Sequence, residues 1–183
     1  MKCLQFFLFA FGLACTHATF AARPNYTYLG LGYAFDKLDG GCDQDGLYLE
    51  GSLVLSELTF IQLHHTDVTS SSWCGSTTTS FSGGVRSDIG GSSSLYGTAS
   101  LLHRDYGNNS DTGAGVNIGL RSLILFELEV NGLLGYESID GYEVSYIGAG
   151  INYWLSQAFS LSAGMTLNDE DDKGVTVGLR YNF

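Results

Sequence analysis

Proline occurs once in this chain, at Pro24, and charged residues make up only 15% of it against a usual ~25%. After residue 22 no run approaches the ~18 consecutive apolar residues that a helix needs to cross a bilayer. A helical membrane bundle is therefore excluded. Basic residues are scarce as well: 8 Lys and Arg stand against 19 Asp and Glu, for a net charge of −11. That balance cannot build a phosphate-binding stripe, so nucleic acid is excluded as a partner. What the chain does have is 25 glycines and 13% aromatic residues. Abundant glycine and aromatics with little charge suit short strands joined by tight turns.

Residues 1–22 read as a cleaved signal peptide. Lys2 supplies the positive start, Leu4 to Ala14 is apolar, and Thr19-Phe20-Ala21 is a small–x–small cleavage site with Ala22 as the other candidate. Lipoprotein processing at Cys15 is the alternative, with Gly12 where that motif prefers leucine. Export leaves residues 23–183 as one domain in an oxidising compartment, with Cys42 and Cys74 as the remaining cysteines.

The last ten residues alternate strictly. Val175, Val177, Leu179, Tyr181 and Phe183 fall on one face, and Gly174, Thr176, Gly178, Arg180 and Asn182 on the other. Nine further segments alternate in the same way and are expected as strands: 26–35, 46–55, 58–66, 78–86, 94–103, 112–121, 125–136, 142–153 and 158–167. The first half of 142–153 breaks phase, which points to a bulge near Ser145. Long acidic connections (36–45, 67–77, 104–111, 137–141, 168–173) alternate with mostly short ones (56–57, 87–93, 122–124, 155–157). The expectation is an all-β, antiparallel, up-and-down transmembrane β-barrel of ten strands, with eight as the alternative, long loops outside and short periplasmic turns. Tyr26, Phe126, Trp154, Phe159, Tyr181 and Phe183 then form one aromatic girdle, and Tyr33, Phe35, Tyr136 and Tyr142 the other.

The terminal strand resembles the closing strand of bacterial outer-membrane β-barrels through Val175, Val177, Leu179, Tyr181 and Phe183. The whole layout resembles the small, single-domain proteobacterial outer-membrane β-barrel family of poorly defined function. The stretch Tyr26-Thr27-Tyr28-Leu29-Gly30-Leu31-Gly32-Tyr33, the acidic run to Asp45-Gly46, the Gly51-Ser52-Leu53 strand centre and the Phe183 terminus carry that likeness. The resemblance implies a bacterial outer-membrane location. It implies lipid and lipopolysaccharide as surroundings, and periplasmic chaperones and the insertion machinery as partners. Val177, Leu179, Tyr181 and Phe183 would be its assembly signal.

The candidate chemistry is sparse. Thirteen of the 19 acids fall in the expected outer loops, but Asn168-Asp169-Glu170-Asp171-Asp172 lacks the spacing and central glycine of a calcium loop. No metal site and no cofactor is expected. His64, His65 and His103, with Asp67 and Asp105, are the one enzymatic candidate: a rim hydrolase whose base would activate water. No signature motif supports it, and no catalytic residue is assigned. Glu50, Arg86, Arg121, Glu127, Glu129 and Arg180 are expected inside the barrel, with Arg121 and Glu127 paired across a short turn. Inward glycines leave two readings open. The first is a mostly filled lumen in a structural or surface-interacting protein; the second is a narrow channel for small polar solutes. A Cys42–Cys74 disulfide is expected between neighbouring outer loops.

Overall fold

The computed structural model describes residues 23–38, 42–70, 74–107 and 109–183. The expected signal peptide, 1–22, lies outside the described residues. Ten strands follow: β1 (Tyr28–Leu38), β2 (Cys42–Val54), β3 (Thr59–Thr69), β4 (Ser76–Asp88), β5 (Ser93–Asp105), β6 (Ser110–Leu125), β7 (Leu128–Ile139), β8 (Tyr142–Trp154), β9 (Phe159–Asn168) and β10 (Lys173–Asn182). Each pairs antiparallel with its sequence neighbours. β1 also pairs with β10, from Tyr28 opposite Asn182 to Lys37 opposite Lys173, so the barrel closes and no edge is left unpaired.

Alternation decides which way each side chain points. Leu29, Leu31, Leu47, Leu49, Val116, Ile118, Ile147, Ile151, Val177 and Leu179 all face outward and are exposed. In water such a wrap of apolar surface would far exceed the patch a monomer tolerates. In a bilayer it is the lipid-facing belt, and every backbone group behind it is satisfied by its neighbouring strand.

The strands lean. Following partners from Leu128 on β7 through Tyr153, Leu161, Leu179, Leu31, Leu49, His65, Thr79 and His103 leads to Thr112 on β6. The next residue, Gly113, pairs with Ile139 on β7, so one circuit climbs about 12 residues (140 − 128). The first six side chains of that outward row are apolar and the last four polar. The change marks where the row rises out of the membrane.

Several expectations need correction. The strands sit where the alternation puts them, but they run further at their outer ends: β1 reaches Leu38, β2 starts at Cys42, β3 reaches Thr69 and β5 reaches Asp105. Connections at the two ends are consequently similar in length, such as 106–109 outside and 89–92 inside. Hydrophobic alternation ends with the lipid, whereas strand pairing continues into water through polar residues such as Lys37 opposite Asp43. β8 pairs with β7 and β9 with no bulge near Ser145; the register shift lies between Leu123 and Leu125 in β6. In β8 the phase simply sends Val144 and Tyr146 inward. The Asp140-Gly141 turn has φ of 49° and 83°, both in the left-handed region. Two such residues in a row suit a two-residue hairpin between right-twisted strands.

Tyr26 and Trp154 leave the girdle. Both are buried inside the barrel, Tyr26 with 1% of its surface exposed. Phe126, Phe159, Tyr181 and Phe183 remain on the periplasmic lipid face, and Phe35 and Tyr136 are exposed toward the other rim. Tyr142 stands opposite Ile139 on the lumen-side row of β8 and also leaves the girdle.

Cys42 and Cys74 are joined by a disulfide, with Cα atoms 6.4 Å apart and a sequence separation of 32. The bond ties the tip of the β1–β2 hairpin to that of the β3–β4 hairpin. A closed loop of this size is worth about 3–4 kcal/mol on the chain-entropy account.

The lumen as candidate functional site

The inner wall is polar and unevenly filled. At the periplasmic end, residues 23–27 cross the mouth before β1 begins. Arg23 pairs with Asp88 at the end of β4, 2.7 Å away. Tyr26 then drops into the lumen. Its hydroxyl lies 2.7 Å from Ser94 Oγ, and its ring centre is 4.9 Å from Phe60 and 6.1 Å from Tyr96. Guanidinium carbons of Arg86 and Arg121 lie 4.8 and 4.3 Å from its centroid. Tyr28 continues the series, 6.0 Å from Arg121 and 4.2 Å from Arg180. Three arginines and two tyrosines thus alternate across the lower lumen, each cation facing a ring.

Two carboxylates neutralise two of those arginines. Arg121 donates from Nε and Nη2 to Glu129 Oε1 at 2.8 and 2.6 Å, and Asn152 donates to the same oxygen at 3.1 Å. Arg180 grips Glu50 with two bonds, Nε to Oε1 at 2.7 Å and Nη2 to Oε2 at 3.3 Å. Glu50 and Arg180 belong to β2 and β10, and both stand opposite Gly30 of the strand between them. A Cβ at Gly30 would strike the Glu50 side chain, so this glycine makes room for the bridge.

Inward glycines fall into two sets. The ring of Tyr48 covers Gly32 and Gly178, Phe60 covers Gly84, Tyr96 covers Gly119 and Tyr146 covers Gly135; a methyl group at any of these would collide with the ring. Here a glycine on one strand receives an aromatic from another, which occupies that part of the lumen and shields the bare backbone. Gly148, Gly150, Gly164 and Gly174, on β8, β9 and β10, carry no ring. They border a cavity of about 170 Å³ whose other walls include Tyr48, Glu50, His64, Asn131, Ser162 and Thr176.

No known protein family matches the sequence, and no curated protein matches it. Solved structures do match the fold. A KdgM porin solved in complex with disordered oligogalacturonate superposes with a TM-score of 0.52 at 9% identity, covering 84% of this chain and 99% of that one. The β domain of the Bordetella autotransporter BrkA gives 0.49 at 13% identity, covering 87% and 100%. The N-terminal β-barrel domain of Pseudomonas aeruginosa OprF gives 0.42 at 13%, also covering 87% and 100%.

The fold is that of a porin-like outer-membrane β-barrel.

Within that barrel the candidate residues separate. Glu50, Arg121, Glu129 and Arg180 face the lumen. Arg86 reaches the periplasmic mouth, where Nε donates to the Glu57 carbonyl at 3.1 Å. Glu127 does not join them. It lies in the two-residue turn 126–127, and the register places Arg121 opposite Asn131, diagonal to Glu129. The Arg121–Glu127 pairing is therefore corrected to Arg121–Glu129. The turn falls at 126–127, beyond the expected 122–124, with the β6 bulge between Leu123 and Leu125 just ahead of it.

The histidines also part company. His64 faces inward, its ring 5.8 Å from that of Tyr48 and its Nε2 2.8 Å from Thr66 Oγ1. His65 and His103 face outward on the climbing row, with His65 Nδ1 2.9 Å from Thr79 Oγ1. Asp67 and Asp105 lie on the same outward face, but Asp67 accepts from Thr77 Oγ1 at 3.3 Å and Asp105 from the Gly107 N–H at 2.7 Å, so neither carboxylate orients a histidine. Among the described residues, no group of three His, Cys, Asp or Glu is arranged to hold a metal ion. The sequence missed Tyr26 and the ring-over-glycine pairs. Their one visible signal was aromatic and glycine residues both on the polar face of neighbouring segments.

Proposed function

We propose that this barrel is a non-enzymatic, narrow channel for small polar solutes in the bacterial outer membrane. The cavity beside the ring-free glycines of β8–β10 carries this reading. Eight strands make a lumen that side chains just fill; ten make a wider one, and here one side of it has no ring to occupy the space. The filled-lumen alternative draws on the other side, where Tyr26, Phe60 and Tyr96 pack together. A channel that is half filled and half open accommodates both observations. The likeness to the KdgM porin lends weight to transport. It does not carry over that protein's oligogalacturonate, since the charges in this lumen are mostly paired. Planar-bilayer recording of the purified barrel tests the proposal. Small, reproducible conductance steps are expected; a silent protein that is nonetheless folded would return the filled-lumen, structural role.

Export through the 1–22 leader, escort by periplasmic chaperones and delivery to the insertion machinery belong to the same proposal, as do lipid and lipopolysaccharide around the belt. Val177, Leu179, Tyr181 and Phe183 stand in a row on the outer face of β10, where such machinery could read them. Deleting Phe183 is expected to lower the amount of assembled barrel about tenfold while leaving the melting of the assembled fraction nearly unchanged, since the ring is largely exposed and packs little. Membrane levels and heat-modifiable gel mobility equal to those of the intact chain would refute this.

A further inference from the structure

We infer that the cavity along β8–β10 is a binding subsite for an uncharged, polyhydroxylated solute of small-polyol size. The inference deepens the channel reading, with which it shares the lumen.

Charge comes first. Glu50 and Arg180 are the carboxylate and guanidinium on the cavity wall, beside His64, whose Nε2 meets Thr66, and each occupies the other through two hydrogen bonds. The next pair below, Arg121 with Glu129, is closed in the same way. An anion entering here would have to take Arg180 from Glu50, and a cation would have to take Glu50 from Arg180. Either exchange leaves a buried charge under-compensated, which costs more than the new contact returns. A neutral solute disturbs neither pair.

The remaining polar groups suit hydroxyls. Asn131 on β7, Thr166 on β9 and Thr176 on β10 line the cavity, and their side chains have no hydrogen-bond partner among the described residues. Ser162 meets only the Tyr48 hydroxyl, at 3.3 Å. Amides and hydroxyls each donate and accept, and so does every hydroxyl of a polyol. Gly148, Gly150 and Gly164 add no side chains of their own, and Leu133, Asn131 and Thr176 lie over them, so these three side chains form the wall that a solute meets.

Size sets the limit. About 170 Å³ is far more than the ~10–15 Å³ needed to seat one water and less than the ~300 Å³ at which drug-sized pockets begin. A chain of a few hydroxylated carbons fits this range, and an oligosaccharide does not fit as a whole.

Saturation-transfer NMR on the full barrel in detergent tests the site without relying on transport. The probes are xylitol, its C1 carboxylate and its C1 amine. Transfer to xylitol is expected to exceed transfer to either charged probe by about threefold, the worth of a net hydrogen bond or less. The pair Asn131→Leu with Thr176→Val should weaken it by a similar factor. Should that pair fail to fold by gel mobility, Thr176→Val alone keeps the shape and removes one hydroxyl. Equal transfer to all three probes, or transfer unchanged in a folded variant, overturns the inference. Bilayer recording on the same preparation separates the two readings. Conductance without selective xylitol transfer sinks the site and spares the channel. Selective transfer without conductance supports the site and sinks the channel.

Discussion

Glu129→Gln is expected to destabilise the barrel by about 3–5 kcal/mol, the cost of breaking a buried ion pair from one side. The Glu129 side chain has no exposed surface and that of Arg121 has 8%. Arg121 stays charged when its partner is neutralised, because a guanidinium does not release its proton in a protein. It is then left between the rings of Tyr26 and Tyr28 with no carboxylate. Asn152, which donates to the same Glu129 oxygen, loses a charged acceptor as well. Replacing both Arg121 and Glu129 by leucine should recover most of the loss, since the cost lies in the unpaired charge and not in the missing attraction. Glu127→Gln serves as the contrast. Its residue lies in the 126–127 turn, outside the pair, and a change within about 0.5 kcal/mol is expected. Urea unfolding of the barrel in lipid or detergent measures all three. Glu129→Gln matching Glu127→Gln would mean that the lumen wets this pair and that it is not buried in use.

Tyr26→Ala is expected to raise single-channel conductance about twofold or more, because pore width at the narrowest point limits the current. The residues before β1 fold across the periplasmic mouth and hang this ring between Arg86, Arg121, Phe60 and Tyr96. Removing it opens the filled side of the lumen and breaks the alternation of cations and rings. The same change should cost about 3–5 kcal/mol of stability, as for other buried aromatics cut to alanine. Tyr26→Phe is the companion measurement. It keeps the ring and loses only the bond to Ser94, so conductance should stay near that of the parent. An alanine variant that folds and conducts like the parent would place the constriction elsewhere.

How much of this was legible from residues alone follows from how local each feature is. Side chains on a strand alternate sides whatever the strand pairs with. The run from Val175 to Phe183 therefore announced one lipid face and one lumen face, and nine similar runs announced the rest of the wall. The absence of long apolar runs removed helices from consideration for the same local reason. Other features depend on which strand stands beside which, and at what stagger. Arg121 bonds Glu129 and not Glu127 because the turn falls at 126–127 and the bulge sits between Leu123 and Leu125. A shift of one residue would have turned the carboxylate to the opposite face. The inward glycines looked alike in sequence, yet Gly84 lies under the ring of Phe60 while Gly148 lies under Leu133 at the edge of the cavity, and only the neighbouring strands distinguish them. Tyr26 read as a lipid anchor at the end of an alternating segment. It is a lumen residue because the chain ahead of Tyr28 leaves the strand and turns across the mouth, where burying the ring against two arginines is available only once the barrel has closed.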